Sequence, residues 1–309
     1  MSGPAPRAPA ASAPAPRAGG RPFAIALCNE VLREHPFEAQ CELAAALGYD
    51  ALEVAPFTLS DDPATLAPAH VAGLRRGAEA AGIRISGLHW LLSAPPGLSI
   101  TSADPAVRAR TLAHMRAMID LCAALGGEVL VHGSPDQRRL SDTDPEGDAE
   151  RGRAAFADVA EHAQRAGVRY LIEPLSPQET RFVTCWAEAA AIVRAVDHPG
   201  LRTMIDTRAA RLGESEPVTA VLERGLRDGT VAHVHFNDRN RRGPGQGDDS
   251  FADVVALLLR EGYAGTVAVE PFDYHPDGAT SAARAIGYLQ GLIEALAARS
   301  GDPGAVPRE

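Results

Sequence analysis

Four side chains in the second half of the chain stand where β-rich apolar runs end. They are Glu173 in "LIEP", Asp206 in "MIDT", His235 in "VHFND" and Glu270 in "VEPF". The intervals between them are 33, 29 and 35 residues, each about the length of one strand–helix unit. Taken singly, an acidic residue at a strand end reads as a helix N-cap or a solvated loop residue. Taken together, the four would converge on one cavity if their strands lie side by side. Three carboxylates and an imidazole held there without compensation would raise the carboxylate pKa values and destabilise the fold. A divalent cation removes the conflict. Carboxylate and imidazole donors suit Mn²⁺, Mg²⁺, Co²⁺ or Zn²⁺, and no thiolate is expected among them to force a softer metal.

The stretch "VAHVHFNDRNRRGPGQG", residues 231–247, carries the densest polar chemistry. His233 and His235, two apart in an apolar run, point to one side of a strand. His235 is expected at the cavity and His233, one pleat deeper, as a packed and hydrogen-bonded interior residue. The "GPGQG" turn is expected to fold the loop back over the mouth, its glycines supplying positive φ.

Composition narrows the chemistry. The chain of 309 residues is 45% hydrophobic, enough for a sizeable core, yet only 5% aromatic, so Ala, Val and Leu must fill it. There is no lysine: all 30 basic residues are arginine. Schiff-base aldolases, pyridoxal enzymes and Walker-type phosphate loops are thereby excluded, since each needs one. A net charge of -10 argues against a nucleic-acid partner. Cys28, Cys41, Cys122 and Cys185 are widely spaced, with no C-x-x-C pair and no compact disulfide framework. Cys28 and Asn29 read as structural. No apolar run reaches the length of a membrane span, so a cytoplasmic protein with no membrane partner is expected.

Something must position these groups. Residues 1–21 are Ala/Pro-rich, without an acidic side chain or the apolar core of a secretory signal, and read as a disordered tail. From residue 22 short β-rich runs alternate with stretches of helical period. Strands are predicted at 23–28, 51–55, 83–90, 128–133, 169–174, 202–206, 231–236 and 266–271. Helices are predicted near 37–47, 67–81, 105–125, 148–166, 184–196, 214–227, 249–261 and 279–298. Several helices stop at a glycine before the next strand, as in "LGYDALEV" and "AGVRYL". Eight such units describe an α/β fold, a (β/α)8 TIM barrel, in one domain over 22–298 with a flexible tail at 299–309. A doubly wound sheet would carry a glycine-rich turn after its first strand, where "CNEVLREHP" stands instead. Barrel chemistry collects at the C-terminal ends of strands. His89 and Trp90 close the third strand and could wall a pocket, while Glu53 and His132, ending the second and fourth, could reach the cavity.

On the E-P, I-D-T, H-x-H…N-R-R-x-P-G and V-E-P-F motifs, the sequence resembles the sugar phosphate isomerase/epimerase superfamily, the xylose isomerase-like barrels. It is most similar there to ketose 3-epimerases and hydroxypyruvate isomerase-like enzymes, over roughly residues 22–298. The motifs are specific as a set and weak singly. The resemblance implies that Glu173, Asp206, His235 and Glu270 are the metal ligands, and that Glu173 and Glu270 double as the acid/base pair. It also implies substrate contacts from Arg241 and from Glu179, which stands six after Glu173 in "EPLSPQET". Two carboxylates from strands five and eight, on opposite sides of the ring, could hold a ketose α-carbon between them while the cation stabilises the ene-diolate. Return of the proton on the opposite face is epimerisation; return at the neighbouring carbon is an aldose–ketose shift.

One departure stands out. Ketose 3-epimerases often place a substrate-binding histidine three residues after the Asp ligand, where this chain has Ala209. Arg208 or His89 could compensate. The implied partner is a small carbohydrate or keto-polyol, compatible with a homo-oligomer. A lyase on the same barrel, an inosose or dehydroshikimate dehydratase or a C-glycoside-cleaving enzyme, is the alternative, since the ligands do not distinguish these outcomes. An apurinic endonuclease would need extra metal ligands from His89 and His132 and a basic surface. A catalytically dead barrel serving as a binding subunit would have no use for the ligand set.

Overall fold

The computed structural model describes residues 21–299. The expected tails lie outside the described residues except for Arg21 and Arg299. Arg21 is part of the folded unit: it is 8% exposed, and its guanidinium donates to Asp50 Oδ2 at 2.7 Å and to the Gly48 carbonyl at 3.0 Å.

Eight parallel strands close into a barrel in sequence order. They are β1 (Ala24–Cys28), β2 (Ala51–Val54), β3 (Arg84–Leu88), β4 (Val129–His132), β5 (Arg169–Ile172), β6 (Leu201–Asp206), β7 (Val231–Phe236) and β8 (Thr266–Val269). The helices are α1 (Phe37–Leu47), α2 (Pro68–Ala80), α3 (Pro105–Leu125), α4 (Pro145–Ala166), α5 (Trp186–Val196), α6 (Thr207–Gly213), α7 (Val218–Arg227), α8 (Ala252–Arg260) and α9 (Gly278–Arg299).

Local chemistry sets the element ends. Asp104 and Asp144 start α3 and α4 by accepting from the Ala106 and Gly147 amides, each with proline in the first turn. α1 stops at Gly48, whose φ of +93° is the left-handed value that glycine adopts without steric cost. The short helix α6 was not expected: Asp206 Oδ1 accepts from the Ala209 amide at 2.6 Å and caps it directly at the β6 exit.

Strand alternation separates two faces. Outward residues such as Ile25, Leu27, Leu52, Leu130, Tyr170, Val234 and Val267 join the helices in the main core. Inward residues form two small clusters, Ala26, Cys28, Ala51 and Ala268 on one side and Val129, Val131, Leu171 and Met204 on the other. Above them the inward positions become polar. Register brings Cys28 beside Glu53 and Asp206 beside His235, so one layer of the barrel carries donors from several strands. Among the described residues no helix is long and apolar enough to cross a membrane.

Candidate metal centre and active site

Glu173, Asp206, His235 and Glu270 meet at the C-terminal mouth. One ligand atom from each lies within 4.8 Å of all the others, and all four residues are buried. Glu173, Asp206 and Glu270 stand two residues after the inward Leu171, Met204 and Ala268, and His235 two after the buried His233, so the two-residue period that fills the barrel also aims these donors inward. Glu173 and Glu270 leave strands three apart in the ring of eight, and their carboxylates converge with the ligand atoms of Asp206 and His235 between them.

The group crowds three buried acidic side chains around one imidazole. Burial and the Glu270 and Asp206 charges push the Glu173 carboxyl well above the usual carboxylate range. Burial and Glu270 push Asp206 up to about 7. Asp206 Oδ1 caps α6 while Oδ2, also buried, has no hydrogen-bond partner. The end-cap reading and the ligand reading of this residue are thus both satisfied, one oxygen each. Glu173 needs the glycine opposite it: a Cβ at Gly133 would lie 1.7 Å from Glu173 Oε2. An orphaned carboxylate oxygen, three crowded carboxylates and one imidazole fit a hard-to-borderline divalent cation.

His235 is held from both sides. Nδ1 is 3.1 Å from Glu270 Oε2 and Nε2 is 2.7 Å from Glu53 Oε1. Glu53 is fully buried and outside the cavity lining, which corrects its expected place at the substrate. Burial opposes its charge, yet His233 and His235 hold it well below the usual range. His233 Nε2 lies 2.8 Å from Glu53 Oε2 but outside hydrogen-bond geometry, so the expected interior position is observed without the expected hydrogen bond. Glu53 anchors His235, the place that the outer carboxylate takes beside a metal-binding histidine.

Above the donors opens a cavity of about 420 Å³ that includes solvent at its mouth. Glu173, Asp206, Glu270, His89, Trp90 and Glu179 line it as expected, joined by Phe272, Leu175, Arg208 and Ala209. Trp90 packs edge-on against Phe272 at 6.2 Å, giving one apolar wall. Glu179 takes the Arg208 guanidinium at 3.1 Å and the Ser176 hydroxyl at 2.7 Å. Ala209 leaves that corner to Arg208. Phe272 was visible as the last letter of "VEPF", but nothing in its spacing marked it as a wall.

Two further expectations change. His132 is turned out of the barrel: Nδ1 meets the Tyr170 hydroxyl at 2.7 Å, and the ring packs on Phe156 in the helix layer. It shares the face of Leu130 rather than that of Val131, so it reaches neither the cavity nor the four-residue cluster. With it goes the extra ligand an endonuclease cluster would need. Arg241 is exposed and sits at the rim, its guanidinium 5.5 Å from the Phe272 ring centroid. Its carbonyl accepts from the Phe272 and Asp273 amides, tying the loop after β7 to that after β8. Of the glycines in "GPGQG" only Gly245 has positive φ; Arg241 itself adopts the left-handed turn at φ +70°.

Donors that sequence reasoning passed over come from β1. Glu30 Oε2 is 2.8 Å from His89 Nε2. Burial works against charge on His89, but Glu30, backed by Glu270 and Glu53, lifts it to about 9. The Cys28 ligand atom lies within 4.8 Å of those of Glu53 and His235, so a thiol stands beside the four-residue group though not in it, and burial pushes its pKa well up. Glu30 and Cys28 were hidden because a strand exit followed by a 3-10 turn, Asn29–Leu32, has no period that says which residue turns inward.

Comparison with known proteins agrees with this architecture. The profile of the xylose isomerase-like TIM barrel family matches residues 41–292. The chain is similar to a D-psicose 3-epimerase of Agrobacterium fabrum, 29% identical over 254 residues covering 77% of this chain and 82% of that protein. A D-psicose 3-epimerase of Ruminiclostridium cellulolyticum is 28% identical, covering 77% and 79%. Among solved structures, an L-ribulose 3-epimerase superposes with a TM-score of 0.76 at 22% identity, covering 90% of this chain and 97% of that one. The 3-keto-D-glucoside 4-epimerase of E. coli superposes at 0.74 and 17%, covering 87% and 99%. At these identities the structural matches speak for the fold.

Proposed function

The chain belongs to the xylose isomerase-like TIM barrel family, and from that premise we propose that it is a divalent-metal-dependent epimerase or isomerase of a sugar or keto-polyol. The observation that carries the reading is the convergence of Glu173, Asp206, His235 and Glu270 beneath a small-molecule cavity. The similarity to ketose 3-epimerases supports a ketose as substrate.

Glu173, Asp206, His235 and Glu270 would hold the cation, with Mn²⁺ the first candidate. When bound, it supplies Lewis acidity that stabilises negative charge on a sugar carbonyl and its neighbouring oxygen. The rest falls to the chain. Glu53 keeps the His235 ring turned so that Nδ1 faces the ligand group and Nε2 faces away. Trp90 and Phe272 cover the apolar face of the sugar and exclude water, which strengthens every charge interaction inside. Glu179, Arg208 and His89 offer hydrogen bonds to its hydroxyls, and Arg241 stands at the entrance. One of Glu173 and Glu270 takes the proton from the carbon next to the carbonyl, and the other delivers one from its own side. Return to the same carbon from the other face inverts it. With Ala209 in the corner, the choice among ketoses rests on the Glu179–Arg208 pair.

The test is proton exchange. Incubation of the protein with D-psicose, D-fructose, L-ribulose and D-tagatose in D₂O with Mn²⁺, followed by NMR, should show deuterium entering one carbon and a new epimer forming. Glu173→Gln and Glu270→Gln should each reduce exchange by at least about 10³-fold, the scale of losing a positioned acid or base, while binding assays still detect Mn²⁺. Wild-type turnover in either variant, or full exchange in chelator-stripped protein, would falsify the reading. No observation favours the lyase alternative.

A further inference from the structure

We propose that Cys28, Glu30, His89 and Glu270 form a second cation site on the β1 side of the mouth, suited to zinc or cobalt rather than manganese. One ligand atom from each residue lies within 4.8 Å of all the others, and all four residues are buried. They come from three strand exits: Cys28 ends β1, Glu30 follows in the 3-10 turn, His89 follows β3 and Glu270 follows β8.

Two observations go beyond proximity. First, the cluster contains a buried carboxylate oxygen with nothing to bond. Glu30 is 6% exposed, and while its Oε2 meets His89 Nε2 at 2.8 Å, its Oε1 has no hydrogen-bond partner. Leaving such groups unsatisfied in the interior is costly, and native proteins rarely do so without a ligand or a strained function. Second, Glu270 divides its carboxylate. Oε2 faces His235 Nδ1 at 3.1 Å, while Oε1 faces His89 Nε2 at 4.0 Å. One oxygen for each cluster is the arrangement by which a carboxylate bridges two cations.

The donor set selects the ion. A thiolate, an imidazole and two carboxylates match the preferences of Zn²⁺ or Co²⁺, whereas Mn²⁺ and Mg²⁺ favour oxygen. Coordination would drive the proton from the Cys28 thiol outright. A second ion would fix His89 against the cavity wall and share the Glu270 charge. Glu270 is the one ligand common to both clusters, and His89 also lines the cavity; Cys28 and Glu30 belong to this site alone and Asp206 to the other, so the two readings can fail separately.

Full-length protein stripped of metal and titrated with Co²⁺ tests the assignment. Bound ions are counted by mass spectrometry, and the thiolate-to-cobalt charge-transfer band is read in the near ultraviolet. Wild type should retain two ions per chain and show the band. Cys28→Ser and Glu30→Gln should each lose one ion, with the band abolished in Cys28→Ser; Asp206→Asn should lose one ion and keep the band. Circular dichroism checks that each variant is folded. Two ions or one without a band in wild type, or a band that survives Cys28→Ser, overturns the second site. One ion with a band that Asp206→Asn leaves unchanged upholds it and sinks the four-ligand reading instead.

Discussion

At the scale of single residues the site depends on space as much as on charge. Gly133 has no catalytic group, yet its missing Cβ is what admits the Glu173 carboxylate, since that atom would come within 1.7 Å of Oε2. Gly133→Ala should therefore push Glu173 off its position without unfolding the barrel. We expect Mn²⁺ affinity to fall at least about 10-fold, the scale of disturbing a ligand's orientation, with thermal stability of the metal-free protein within a few degrees of wild type. Isothermal titration and a melting curve would check both halves. Unchanged affinity would mean that Glu173 does not bind through the oxygen above Gly133.

At the scale of elements, α6 begins at a side chain, Asp206, that caps the helix with Oδ1 and leaves Oδ2 for the proposed cation. The two tasks separate by substitution, because asparagine caps as well as aspartate but offers no anion. Asp206→Asn should lose metal affinity while its metal-free melting temperature stays level or rises, the crowded charge being gone. Asp206→Ala should lose metal affinity and also about 1 kcal/mol of stability with the cap. If both variants melt alike without metal, the cap contributes nothing.

At the scale of the whole molecule the buried charges make stability a function of pH and metal. Asp206 is raised from the ordinary 3.8 to about 7. The unfolded chain therefore releases that proton earlier than the native one, and stability falls as pH climbs through this window. His89 is raised from 6.5 to about 9: its contribution is present below 6.5 and is lost as pH rises to about 9. Glu53, held well below 4.5, acts oppositely and loses its contribution only in acid. Metal-free protein should thus be most stable near about pH 5 and weaken steadily toward about pH 9. Mn²⁺ should flatten that decline by favouring the ionised carboxylates. Melting curves with chelator and with Mn²⁺ across that range measure it; a metal-free stability that rises with pH would contradict the electrostatics described.

Much of this was legible before any coordinates. Eight strand–helix units follow from hydrophobic period and helix stops, since a strand needs alternation and a helix needs a face. Glu173, Asp206, His235 and Glu270 stand out because one unit length separates them. What the sequence by itself could not determine is which exit residue turns inward. A side-chain period of two makes that depend on a single position: His132 follows Leu130 outward, while Gly133 follows Val131 inward. Irregularities between Leu52 and Glu53 and between Thr203 and Met204 shift the register further, and Glu53 lies beneath His235 rather than in the cavity. Only closure of the barrel placed Cys28 and Glu30 beside His89 and Glu270, because contacts between β1, β3 and β8 depend on tertiary packing that local pattern does not encode.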